Sequence, residues 1–270
     1  MTGSRPKRRL GQHFLTDPGI LGRIADAVGA GPDDTVLEIG PGPGGLTAAL
    51  ASRAGHVVAI EKDADLVPAL RARFPGVSIV EGDALDLDWH AVAGSPPRAR
   101  FFVAGNIPYN ITSPLIDIAL APPRPARVVF LVQKEVAVRV GAGPGSSDYG
   151  ALSVGVQAVA TVERLFTVPA GAFAPPPRVD SAVLRLTPLE HPLIRDGERE
   201  SFRRAVVGLF GLRRKQLLRG VRELAGWGAE RAGAVLAAAG ASPTARPETL
   251  SAAEFVALHR ALVDEGWQAR

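Results

Sequence analysis

Val36-Leu37-Glu38-Ile39-Gly40-Pro41-Gly42-Pro43-Gly44-Gly45-Leu46-Thr47 is the stretch that decides the fold. A short apolar run enters a glycine-rich turn and leaves it in the helical pattern Leu46-Thr47-Ala48-Ala49-Leu50-Ala51. Glycine admits positive φ and lets the backbone approach a ligand closely. The turn opens a helix, where free N–H groups and the helix dipole favour anionic groups. His56-Val57-Val58-Ala59-Ile60-Glu61 follows as a second strand. Its terminal carboxylate falls about 20 residues past Gly40, where it can accept both hydroxyls of a ribose. A third apolar run, Val77-Ser78-Ile79-Val80-Glu81-Gly82-Asp83, again ends in an acid. Three successive strand ends, each with a polar group, predict a ligand site along one edge of a parallel sheet.

Two cofactor classes fit this stretch. Gly40, Gly42 and Gly45 satisfy G-x-G-x-x-G, the nicotinamide fingerprint. The same residues satisfy E-x-G-x-G-x-G, the pattern of S-adenosylmethionine (AdoMet) methyltransferases. Glu38, just before the turn, suits a ligand carrying an ammonium and a sulfonium and suits a pyrophosphate poorly. In the methyltransferase reading, Asp83 meets the adenine amine of the cofactor.

Further along, Phe101-Phe102-Val103-Ala104-Gly105 runs into Asn106-Ile107-Pro108-Tyr109. A carboxamide, a proline-stiffened backbone and an aromatic face stand together at a strand end. The amide oxygen of Asn106 and the carbonyl of Ile107 can accept both N–H bonds of an exocyclic amine while Tyr109 stacks on the ring. These acceptors favour the nitrogen lone pair that attacks an electrophile as the amine leaves planarity. By itself an Asn-x-Pro turn is also an ordinary connection. The upstream glycine turn and acids weight the reading toward chemistry.

Composition removes other mechanisms. The 270 residues contain no cysteine, which excludes disulfides, thiolate metal sites, iron–sulfur radical chemistry and a cysteine nucleophile for methylation at pyrimidine C5. The five histidines, His13, His56, His90, His191 and His259, show no metal-ligand spacing, and no metal is expected. Hydrophobic content of 46% supports a packed core. No apolar run approaches a membrane span, and the basic start lacks a signal-type core, so a cytoplasmic protein without membrane attachment is expected. The net charge of +4 is concentrated in two places. Arg5, Lys7, Arg8 and Arg9 form one cluster. Arg203, Arg204, Arg213, Arg214, Lys215, Arg219 and Arg222 form the other. Solvated helix faces account for part of the second, but clusters this dense read as phosphate contacts.

Strands are predicted near 35–39, 56–61, 77–82, 99–105 and 127–132, with two more near 159–167 and 179–186. Asp17-Pro18 caps a first helix that closes at Gly29. Further helices are expected near 44–54, 63–73, 113–121 and 133–141. This alternation predicts an α/β, Rossmann-like sheet covered on both faces. After Pro188 the strand pattern stops, and helices are expected near 198–210, 213–225, 228–239 and 251–265. Two domains follow: residues 1–188, binding cofactor and performing chemistry behind a basic N-terminal arm, and residues 189–270, all helical. No repeats or low-complexity tracts occur.

At this point the chain resembles the ribosomal RNA adenine dimethyltransferases, most closely their bacterial small-subunit branch. The likeness covers nearly the whole chain. It rests on Arg9-Leu10-Gly11-Gln12-His13-Phe14-Leu15, the glycine turn, Asn106 to Tyr109 and Gln133-Lys134-Glu135-Val136. It continues through Tyr149-Gly150-x-Leu152-Ser153-Val154, Phe173-Ala174-Pro175-Pro176-Pro177-x-Val179-Asp180-Ser181 and Arg213-Arg214-Lys215. The resemblance implies AdoMet as cofactor, held by His13, Leu15, Gly40, Gly42, Glu61, Asp83 and Asn106. His13 departs from the Asn common at that position. It implies catalysis by Asn106, Ile107, Pro108 and Tyr109, with Phe173 flanking the target base opposite the tyrosine. It implies N6,N6-dimethylation of two adjacent adenines near the 3′ end of small-subunit rRNA, in an assembling particle bound through Lys7, Arg8, Arg9, Arg213, Arg214 and Lys215. A monomer is expected.

Two other functions compete. A non-catalytic ribosome-assembly factor would keep the fold and basic surface. A DNA adenine methyltransferase would share the Asn-x-Pro-Tyr logic, but the basic helical tail disfavours it. Sister enzymes that methylate large-subunit rRNA share Asn-x-Pro-Tyr but match less well at 133–136, 149–154 and 213–215.

Overall fold

A computed structural model of the chain describes residues 12–94 and 100–269. The cluster Arg5, Lys7, Arg8 and Arg9 lies outside the described residues. Its centre is a seven-stranded sheet. In chain order the strands are β2 (Thr35–Ile39), β3 (His56–Glu61), β4 (Ser78–Glu81), β5 (Phe101–Asn106), β6 (Arg127–Gln133), β7 (Ala160–Val168) and β9 (Ser181–Pro188). Two short strands, β1 (Phe14–Leu15) and β8 (Phe173–Ala174), pair antiparallel outside that sheet, Phe14 opposite Ala174 and Leu15 opposite Phe173.

The spatial order is β4-β3-β2-β5-β6-β9-β7. The first five strands are parallel. β9 runs antiparallel to β6, so the expected parallel sheet becomes a mixed one. The chain order reverses between β2 and β5, and ligands of open α/β sheets bind at the carboxyl ends beside such a switch point. β2 is buried at all five positions, the sign of a central strand covered on both faces.

Helices α1 (Pro18–Val28), α2 (Gly45–Ala51), α3 (Val67–Arg73), α4 (Trp89–Ala93), α5 (Thr112–Ala119) and α6 (Lys134–Gly141) connect the strands up to β7. Asp17 caps α1 by accepting from the Ile20 N–H at 3.0 Å, and Gly29 ends it in the left-handed region at φ 69°. Ile24 and Val28 on this helix pack with Leu46, Leu50, Phe102 and Val129 in the main core.

The chain divides into two packed units, residues 1–137 with 162–188, and residues 138–161 with 189–270. One break between the units falls after Pro188. Residues 138–161, expected with the sheet, group with the helices, because α7 (Ala151–Gln157) packs on α8 (Arg199–Gly211) and α11 (Ala252–Asp264). α7 was not anticipated. The Tyr149 hydroxyl donates to the Leu250 carbonyl at 2.8 Å, and the Ser153 hydroxyl donates to the Arg139 carbonyl at 2.6 Å. The Tyr149–Val154 motif is therefore a packing element of the helical unit. The remaining helices are α9 (Leu217–Ala225) and α10 (Ala229–Ala238). Leu209, Leu217, Val221, Leu236, Phe255 and Leu262 fill this unit's core, each at most 1% exposed. Among the described residues no helix is long and apolar enough to cross a membrane.

Candidate active site

One pocket gathers the carboxyl ends of β2, β3, β4 and β5. Gly40, Gly42, Glu61, Asp83, Asn106, Ile107, Pro108, Tyr109 and His13, all anticipated, line it. Gln12, Phe14, Ile39, Ile60, Lys62 and Ala84, also in its wall, were not anticipated. Most are the apolar neighbours of the predicted polar groups, and their place in the wall follows from the strand register.

The glycine turn is held open by backbone geometry. Gly40, Gly42 and Gly44 have φ of 68°, 56° and 86°, values that side chains other than glycine resist. A Cβ on Gly42 would meet the Phe14 ring at 3.0 Å. The Gly40 N–H donates to the Ile60 carbonyl at 2.9 Å, pinning the turn to β3. The cradle is bare backbone beside a carboxylate, which fits a cofactor carrying a cationic amino-acid end and a ribose.

Glu61 is 5% exposed and holds two N–H groups, from Gly42 at 3.0 Å and Asp63 at 2.7 Å. Burial pushes its carboxyl above the usual range, a rise that those two donors only partly offset. Asp83 is held below the usual carboxylate range by its ion pair with Lys62, against a smaller opposing effect of burial, and its other oxygen accepts from the Leu85 N–H at 3.0 Å. It is an ionised acceptor, as a carboxylate reading an amine must be. Lys62 immediately follows Glu61 in sequence, yet only the fold shows it paired with Asp83.

Glu38 does not line the pocket. It lies beneath the turn, 1% exposed, with one carboxyl oxygen unpartnered. Burial lifts it to about 8, helped by the like charge of Glu61 and opposed by the Thr47 hydroxyl. A second carboxylate so near Glu61 is tolerated because this one keeps its proton.

At the end of β5, Gly105 is required by close approach. A Cβ there would come within 2.6 Å of the Ile39 carbonyl. The Ile107 N–H donates to the Leu131 carbonyl at 3.0 Å, which fixes the peptide after Asn106. The Asn106 carboxamide donates through Nδ2 to the His13 carbonyl at 2.8 Å. A carbonyl only accepts, so the nitrogen must face His13 and Oδ1 is the other arm of the amide. Tyr109 follows in a turn of 3-10 helix, its ring stacked on the His13 imidazole at 5.7 Å and 23°. The imidazole Nδ1 is 2.9 Å from the Pro175 carbonyl.

Phe173 and Leu15 are elsewhere. Both are buried, at 4% and 8% exposure, paired across β1 and β8 and packed in the main core with Ile24 and Val28. The expected aromatic wall at Phe173 is thus a core side chain in this structure, because β8 turns it inward. The ring that faces Tyr109 belongs to His13.

Arg213, Arg214 and Lys215 were expected on a helix. They occupy the exposed turn between α8 and α9 instead, since α9 begins only at Leu217. Their neighbours in the basic cluster are partly neutralised. Arg203 and Arg204 bond Glu200, and Arg219 bonds Glu223.

A mixed seven-stranded sheet of this order, with a glycine cradle, two strand-end acids and an Asn-x-Pro-Tyr corner, defines the class: a Rossmann-like, AdoMet-dependent methyltransferase. Relatives sharpen this. The chain is 44% identical to a "Ribosomal RNA small subunit methyltransferase A" from Geobacter metallireducens, over 98% of both chains. It is 41% identical to one from Pseudomonas fluorescens, over 97% of this chain and 95% of that one. Among solved structures, a dimethyladenosine transferase from Plasmodium falciparum superposes with a TM-score of 0.84 at 26% identity, covering 96% of this chain and all of that one. The 23S rRNA methyltransferase ErmE superposes with a TM-score of 0.69 at 30% identity, over 93% and 99% of the two chains. The profile of the family "Ribosomal RNA adenine dimethylase" matches residues 3–256, and the chain belongs to that family.

Proposed function

We propose that the chain dimethylates N6 of two adjacent adenines near the 3′ end of small-subunit rRNA, acting as a monomer in the cytoplasm on an assembling particle. The orientation of the Asn106 amide carries this reading. With Nδ2 committed to the His13 carbonyl, Oδ1 is the arm available to accept from an exocyclic amine. The carbonyl of Ile107 would take the amine's second N–H, and Tyr109 would stack on the extruded base. AdoMet, when bound, supplies an electrophilic methyl on sulfonium. Glu61, the bare backbone at Gly40 and Gly42, and Asp83 would hold it.

The chain's own contribution is positioning. Asn106 and the Ile107 carbonyl aim the nitrogen lone pair and stabilise the amine as it turns tetrahedral. No general base is needed before attack, because the proton leaves to water once the amine is cationic. A second transfer requires the methylated nitrogen to rotate and meet fresh cofactor. The names and identities of the relatives support the small-subunit target over the large-subunit one. Arg213, Arg214 and Lys215, exposed in one turn, would contact phosphate, with Lys7, Arg8 and Arg9 as a second contact.

Labelled methyl from AdoMet, followed onto small-subunit particles from cells lacking the enzyme, tests the reading. Two adjacent dimethyladenosines near the 3′ end are expected by mass mapping. Label confined to large-subunit RNA would reverse the assignment, and absence of transfer would leave an assembly factor.

A further inference from the structure

The structure assigns Ser181 as the residue that positions Tyr109 for the adenine, an inference that rests on the function proposed above. The Tyr109 hydroxyl and the Ser181 Oγ are 2.8 Å apart. Ser181 is fully buried, at 0% exposure, as the first residue of β9. The next three residues, Ala182, Val183 and Leu184, are apolar and equally buried. A lone hydroxyl in such a run costs free energy unless it is bonded, and Tyr109 is its partner.

The position is tied down on several sides. Ser181 pairs with Gln133 at the end of β6. Its neighbour Asp180 accepts the Lys134 N–H at 3.0 Å through its carbonyl, and the Ala170 N–H at 3.1 Å through Oδ1. The hydroxyl that meets Tyr109 therefore stands on a hydrogen-bonded strand start, across β6 from the Asn106 strand.

The geometry of the bond says what it fixes. The phenol oxygen lies on the axis through Cβ and Cγ. Holding it sets the direction of the ring axis and leaves rotation about that axis open. The His13 ring, stacked at 23°, sets the rotation. Together they define a plane for the base. The Asn106 amide is fixed independently through the His13 carbonyl. N6 meets that amide only if plane and amide keep their relation, and a displacement of about 1 Å in a reacting group can cost on the order of 100-fold in rate. Ser181 touches neither base nor cofactor. It acts through Tyr109.

The test compares Ser181→Ala, Tyr109→Phe and the double variant, each in the full-length protein, on small-subunit particles. Each single change removes the same bond and keeps the ring. We expect kcat to fall about tenfold in each, KM for the particle to stay within about twofold, and the double variant to be no worse than either single one. AdoMet affinity by calorimetry should be unchanged in all three. A spectroscopic readout is available because the chain has only two tyrosines. Tyr149 is held up at about 12 by burial, with a smaller push from Glu254. Burial raises Tyr109, while Ser181 opposes that rise. Losing Ser181 should move the Tyr109 titration upward and leave that of Tyr149 in place.

Multiplied losses in the double variant, unchanged kcat in Ser181→Ala, or loss of AdoMet binding in that variant would each overturn the assignment. In the last case the residue would be supporting the fold. If the unaltered protein fails to methylate adenine on the particle, the functional reading fails instead, and the titration shift alone still reports whether the bond exists.

Discussion

The carboxyl edge of the sheet and the turn between α8 and α9 are both polar, but they are built in opposite ways. At the sheet edge each polar group is bonded to backbone. Glu61 holds Gly42 and Asp63, Asn106 holds His13, and Asp83 holds Leu85. In the turn, Arg213, Arg214 and Lys215 extend into solvent. The first arrangement is short-ranged and depends on position to a fraction of an ångström. An exposed charge cluster of the second kind acts over a Debye length, and its members are nearly interchangeable. Under the proposed function, chemistry and docking would thus be separated by the physics of their contacts.

Substitutions can break or sharpen that contrast. The largest effect is expected for Asn106→Ala. Removing an acceptor used mainly in the transition state should lower kcat by about 100- to 1,000-fold while AdoMet binding stays within about tenfold. Turnover near normal would mean the corner is an ordinary Asn-x-Pro turn. Glu61→Ala comes next. Losing hydrogen bonds to a charged group costs about 1.5–3 kcal/mol, so calorimetry should show AdoMet bound about 10- to 150-fold more weakly. Unchanged affinity would remove the carboxylate from the site.

In the exposed turn the expected change is of another kind. Replacing Arg213, Arg214 and Lys215 with Ala should flatten log K against log salt for RNA binding by about 2 units, at 0.7–0.9 per phosphate contact. Cofactor affinity should not move. An unaltered slope would make the turn a solvated surface and erase the contrast.

A last effect falls on stability alone and concerns Glu38. Its value in the fold, about 8, lies above the usual 4.5, so the native state binds this proton more tightly than the unfolded chain. The stability it carries is complete below about pH 4.5 and is lost as pH rises through about 8. Glu38→Gln has no such dependence. The melting temperature of the unaltered protein should therefore fall relative to Glu38→Gln between pH 5 and 8, at about 2–4 °C per kcal/mol. Parallel curves would show that Glu38 is already ionised at neutral pH.

How much was readable in advance depended on range. Strands at 35–39 and 56–61 match the apolar runs, because a buried strand writes its period directly into the sequence. The glycine turn, Glu61, Asp83 and Asn106 were legible because each ends such a run. What sequence left open was set by contacts distant along the chain. The antiparallel direction of β9, the Lys62–Asp83 pair and the Ser181–Tyr109 bond leave no local signature. Phe173 shows the limit of motif reading. Its motif is intact, but the strand pairing with Leu15 decides which way the ring points. α7 was missed because its seven residues, with Gly155 inside them, give too little helical period to read.

The acceptor that fixes the Asn106 amide is the carbonyl of residue 13, and that has a genetic consequence. Every missense codon keeps a carbonyl, so no point substitution at 13 can delete it. The side chain there is free to drift between His and Asn without releasing the amide. A single-residue deletion between Leu15 and α1 is different. It would slide β1 one place against β8, turn each of its side chains to the opposite face and move the carbonyl out of line. At this position exchange of the side chain should spare the amide, whatever it does to the Tyr109 stack, and change of length should release it.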